Sequence, residues 1–131
     1  MFRFFLIFTI LLITSCRENE IKVDFNSQSI ESALFSSNLN LLTFKSDGES
    51  FDIFWIGEGP APRKITLSPL PDGWGYCVNK TSSSIKNIDR KNIKLKQNTT
   101  YAICHYVGCS RYFLFVATDS TGKMIRLVSK E

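Results

Sequence analysis

Hydrophobic and polar residues alternate in short runs along most of the chain, and the period of the alternation is that of β-structure. Ile21-Lys22-Val23-Asp24-Phe25 places apolar side chains at every second position, as a half-buried strand does. Lys64-Ile65-Thr66-Leu67-Ser68 repeats the pattern, and Leu41-Leu42-Thr43-Phe44 and Trp74-Gly75-Tyr76-Cys77-Val78 are strand-like in composition. Phe51-Asp52-Ile53-Phe54-Trp55-Ile56 is aromatic and branched almost throughout, which predicts a strand buried on both faces or nearly so. Residues 101–107, 111–118 and 123–128 predict three further strands, the last two joined by the turn Asp119-Ser120-Thr121-Gly122. Ser46-Asp47-Gly48-Glu49, the loop 57–62 and the Pro69, Pro71, Asp72, Gly73 cluster separate the earlier runs.

Two stretches lack this signature. Residues 29–40 are rich in Ser and Asn, which disfavour helix interiors, and Ile30, Ala33, Leu34 and Leu41 fit helical spacing loosely; the reading is irregular chain. Residues 79–92 are polar apart from Ile85 and Ile88, after which Ile93 and Leu95 point one way and Lys94 and Lys96 the other. Nothing repeats, and no segment predicts a helix longer than a turn or two. About seven or eight short strands in this length predict an all-β chain folded as one β-sandwich of the Ig-like or fibronectin type III-like kind.

The first residues follow another rule. Met1-Phe2-Arg3 gives a basic start, and residues 4–13 are apolar except for Thr9. A permanent membrane helix needs roughly 20 apolar residues, so this run reads as a signal peptide. Ile13-Thr14-Ser15-Cys16 resembles the bacterial lipobox, an aliphatic residue and two small ones before a cysteine. The resemblance implies cleavage between Ser15 and Cys16 and acylation of the Cys16 thiol. More than one acyl chain, at ~0.8 kcal/mol per buried methylene, anchors stably. Arg17 rather than Asp follows the cysteine, which in enteric-type bacteria implies sorting to the outer membrane, with the domain in the periplasm. The expected organisation is a signal peptide over 1–15, a lipidated cysteine and tether over 16–20, and a β-sandwich over 21–131.

Leu95-Lys96-Gln97-Asn98-Thr99-Thr100-Tyr101-Ala102-Ile103 resembles the fibronectin type III signature at the corner before strand F. Leu95, Thr99, Tyr101 and Ile103 match, while Gln97 and Asn98 stand where Pro and Gly are usual; Asn tolerates the same left-handed turn. The resemblance implies a tyrosine corner, in which the Tyr101 ring packs under the crossing between sheets and its hydroxyl bonds the backbone a few residues back. Trp55 would then be the buried tryptophan of that fold.

Charge and cysteines refine the picture. The chain carries a net charge of +4, with much of the excess in Lys86, Arg90, Lys91, Lys94 and Lys96. No aromatic residues interleave with these cations, so nucleic acid is not the expected partner, and the cluster reads as a solvated strand and loop. Cys77, Cys104 and Cys109 remain besides Cys16. Export to an oxidising compartment predicts one disulfide and one leftover thiol. Three pairings are open; the short loop between Cys104 and Cys109 favours a local bridge, and Cys77 with Cys104 would instead join neighbouring strands.

The chemistry for catalysis is sparse. His105 is the single histidine, and its neighbour Cys104 faces the opposite side of a strand. The acids are scattered and form no ligand set, so no catalytic residue, metal or cofactor is expected. The layout, with its lipobox, compact β-sandwich and Leu95–Tyr101 corner, resembles the small periplasmic lipoproteins that act as immunity partners of type VI secretion effectors. That resemblance implies a non-enzymatic module that occludes an incoming toxin. Exposed aromatic and basic groups are the expected contacts: Trp74, Tyr106, Arg111 and Tyr112, since aromatic and Arg side chains dominate interface energetics. The alternative is an accessory lipoprotein of an envelope or secretion assembly. Both readings expect a membrane, through the lipid, and a protein partner.

Overall fold

A computed structural model describes residues 20–33, 38–80, 83–86, 92–107 and 110–129. The proposed signal peptide and lipobox, with Ser15 and Cys16, lie outside the described residues, as does Cys109. Among the described residues there is no helix, and ten strands form two sheets. They are β1 (Ile21–Asp24), β2 (Ser29–Ser32), β3 (Leu41–Ser46), β4 (Glu49–Trp55), β5 (Lys64–Thr66), β6 (Trp74–Lys80), β7 (Ser83–Lys86), β8 (Thr100–Val107), β9 (Ser110–Thr118) and β10 (Met124–Leu127). One sheet has the order β1-β2-β5 and the other β10-β9-β8-β3-β4-β6-β7; every pairing is antiparallel.

The expected all-β sandwich is therefore present, with more strands than the pattern announced. β2 occupies residues read as irregular, yet it is the centre of the smaller sheet, with Ile30 paired to Val23 and to Ile65. Its serines hid it: Ser29 and Ser32 are buried, and the Ser29 hydroxyl shares a hydrogen bond of 2.6 Å with Ser27. β7 arises in the polar stretch because it pairs with β6. Conversely, Ile93 and Leu95 are buried and Lys94 and Lys96 exposed as alternation requires, although this segment is not in a ladder; the Ile93 N–H donates to Leu67 O at 3.1 Å.

Register sorts the large sheet into two faces, because residues paired across antiparallel strands point the same way. The inner rows run Tyr112–His105–Leu42–Ile53–Tyr76 and Leu114–Ile103–Phe44–Phe51–Val78. They meet Ile21, Ile30 and Ile65 of the small sheet in one core. Phe44 and Phe51 stack with ring centroids 4.8 Å apart, and Tyr101 meets both rings edge-on. β4 is buried on one face only: Phe51 and Ile53 are in the core, whereas Asp52 and Phe54 are half-buried on the other side.

Tyr101 sits under the crossing. Its hydroxyl accepts a hydrogen bond of 2.8 Å from the Lys96 N–H, and Asn98 takes the left-handed backbone (φ 48°) that turns the chain between them. The two sheets are also tied at the Gln28 side chain, which accepts from the Met124 N–H at 2.8 Å and donates to Met124 O at 2.9 Å. That pair joins the β1–β2 turn to β10.

Candidate partner-binding face

The outer face of the large sheet is built from the positions between the core rows. One row runs Phe113–Cys104–Thr43–Asp52–Cys77, and the next includes Phe115–Ala102–Lys45–Ser50. Arg111 pairs with Tyr106, and Phe54 with Gly75, on the same side. A Cβ on Gly75 would meet the Phe54 ring at 2.5 Å, so Phe54 lies flat on the strand beside it.

At the middle of this face the polar groups are satisfied. The Thr43 hydroxyl donates to the Asp52 carboxylate at 2.8 Å. Towards β9 the surface turns aromatic. Phe113 is 42% exposed, and the Arg111 guanidinium lies over its ring, 5.7 Å from the centroid. A cation held against an aromatic face is attracted by the ring quadrupole. Tyr106 and Phe115 are half-buried beside them, and Lys45 is exposed.

Of the four contacts expected from sequence, the structure brings two together. Tyr106 and Arg111 are cross-strand partners on the outer face. Trp74 is a correction: it is 3% exposed and packs edge-on against Trp55 at 5.3 Å. The turn signals before it implied an exposed loop, but Trp74 opens β6 and pairs with Trp55. Trp55 in turn is half-buried rather than the buried tryptophan. Tyr112 is the second correction, since it pairs with His105 and packs on the core. One step in register separates it from Arg111, and one step reverses the face. Phe113 was missed; its spacing of two from Arg111 was the available signal.

The pairing of Cys77 with Cys104 across neighbouring strands is corrected too. Cys77 and Cys104 are both free, buried thiols. They share a cross-strand row, but β3 and β4 lie between them, three strand spacings or about 14 Å, well beyond the ~7 Å a disulfide spans between Cα atoms. The local bridge expected between Cys104 and Cys109 falls on Cys109, which lies outside the described residues. Burial pushes the Cys104 thiol up, only partly offset by Lys45 and Arg111.

His105 is fully buried on the inner face, on the opposite side from Cys104. Among the described residues, no group of three or more His, Cys, Asp or Glu side chains is placed to hold a metal. Of the basic cluster, Lys94 and Lys96 are exposed; Lys96 pairs with Glu49 at 3.0 Å.

Comparison with known proteins returns nothing. No family model, no curated protein and no solved structure matches the chain. The Phe113–Arg111–Tyr106 face therefore stands on its geometry: an exposed ring, a cation held over it, and half-buried aromatics around them. Such a surface can bury apolar area and accept an acidic group in the same contact.

Proposed function

We propose that this protein is a lipoprotein anchored through Cys16, with its β-sandwich in the periplasm, and that it acts without catalysis by binding another protein. The partner is a secreted effector toxin, and binding occludes the toxin as an immunity protein does. The observation that carries the binding face is the exposed Phe113 ring capped by Arg111, with Tyr106 beside it. The exposed charges of the face, Arg111 and Lys45, are cationic, so the complementary patch on the partner is apolar with acidic groups at its rim.

The lipobox resemblance supports the anchor, and the position of β1, which begins at Ile21 only five residues beyond Cys16, supports a short tether. The test is complex formation with the secreted protein encoded beside this one. Phe113→Asp combined with Arg111→Glu is expected to weaken that complex by on the order of 30-fold or more, as loss of a central aromatic or Arg contact does. A complex of unchanged affinity would reject this face, and cells lacking this chain that tolerate the neighbouring protein would reject the immunity role.

A further inference from the structure

The end of the sandwich where the chain arrives from Cys16 carries a second apolar feature, distinct from the sheet face. Glu20 is fixed there: its carbonyl accepts from the Ala33 N–H at 2.8 Å. Hydrogen bonds then run across that end of the molecule. Ser32 N–H donates to Arg63 O, Leu39 N–H to Pro62 O, Trp55 N–H to Asn40 O, and Ile56 N–H to Gly73 O at 2.8 Å. The last of these residues, Ile56, is 51% exposed.

Ile56 is held on a rigid mount. The Trp55 ring is so close to Gly57 and Gly73 that a Cβ on either would meet it at 2.5 Å, and its indole N–H donates to Gly59 O at 3.0 Å. An indole wedged between two glycines fixes the loop that presents Ile56. About half of the Ile56 side chain is left exposed by the described residues, and burial of that apolar surface elsewhere is favourable.

The tether decides what covers it. Residues 16–20 reach at most roughly 14 Å from Cys16 to Glu20, so an acylated Cys16 holds this end of the sandwich next to the bilayer. The opposite end, with Asp47, Asn98 and Gly122, lies a strand length further away, about 20 Å for the seven residues of β4. We infer that the Trp55–Ile56 loop seats on the lipid surface that carries the anchor, with Ile56 entering the interface and Trp55 at its rim. This rests on acylation of Cys16. The loop carries Glu58 and has Asp72 nearby, both exposed, so the contact is apolar rather than electrostatic and is insensitive to ionic strength.

The chain has two tryptophans, and Trp55 and Trp74 both lie at this end, which makes intrinsic fluorescence the reporter. The lipidated full chain is reconstituted into phosphatidylcholine vesicles with and without brominated acyl chains. The expected result is that protein floats with the vesicles, that bromolipid quenches the tryptophan emission at both low and high salt, and that Ile56→Asp floats equally but loses most of the quenching. Failure of the wild type to float would overturn the anchor and this inference with it. Flotation without quenching, or equal quenching in Ile56→Asp, would overturn the seating alone, as would self-association through Ile56 that shields the tryptophans from lipid.

Discussion

At the scale of single residues, Tyr101 and Cys104 show how position converts an ordinary side chain into a specific constraint. The Tyr101 ring is buried against Phe44 and Phe51 while its hydroxyl satisfies the Lys96 N–H. Tyr101→Phe keeps the ring and strands that N–H, so it is expected to lower stability by about 1–2 kcal/mol in urea denaturation. Cys77 and Cys104 are reduced and inaccessible, and the raised pKa of Cys104 keeps its thiol protonated at neutral pH. A maleimide is expected to spare both residues in the native protein and modify both after unfolding, as peptide mass mapping will read. Modification of neither after unfolding, restored by reductant, would show them oxidised instead. The sequence placed Cys104 and His105 on opposite faces correctly, from the two-residue period alone. It wrongly allowed Cys77 and Cys104 to bridge neighbouring strands, because pairing depends on how many strands intervene, and here two do.

At the scale of elements, β10 is a loosely held edge strand of the large sheet. It is short, its register slips by a bulge between Met124 and Arg126, and Ile125 and Leu127 are exposed. Two devices hold it. Asp119 accepts from the Thr121 and Lys123 N–H groups and from the Thr121 hydroxyl, which fixes the turn before the strand. These bonds hold its carboxyl below the ordinary value of 3.8. A carboxylate whose pKa is depressed in the folded state stabilises above its unfolded pKa, and that stability is lost as pH falls through the folded value. Asp119→Ala is therefore expected to reduce thermal stability at neutral pH and to lose less than the wild type on acidification below about 4. Gln28 is the second device, clamping the Met124 backbone from the other sheet. Gln28→Ala is expected to cost about 1–3 kcal/mol, seen first as faster amide exchange in β10. Gln28 was invisible to sequence reading: a polar residue in a polar turn, it matters only because β10 arrives beside it.

For the whole molecule, the core couples the two sheets through Phe44, fully buried between them. Phe44→Ala is expected to cost about 3–5 kcal/mol, a large share of the stability of a domain this size, and to unfold both sheets together in a single transition by fluorescence and far-UV circular dichroism. The proposed anchor belongs to this scale as well. Cys16→Ser is expected to release the protein from membranes into the soluble fraction, read by fractionation and by loss of fatty-acid label.

The sequence by itself determined the secondary-structure class, the candidate anchor and most of the core rows, because these follow from local rules: a two-residue period, a short apolar leader, and an aromatic at every second position. It resolved the strands whose own composition is apolar and missed β2 and β7, whose reason to be strands is the neighbour they pair with. The tertiary structure alone decided which aromatics face outward, that Trp74 is buried and Tyr112 packs against the core while Phe113 does not, and that Cys77 and Cys104 stand strands apart. Those facts depend on register and strand order, which are set when distant segments pair, and no local run of residues carries that information.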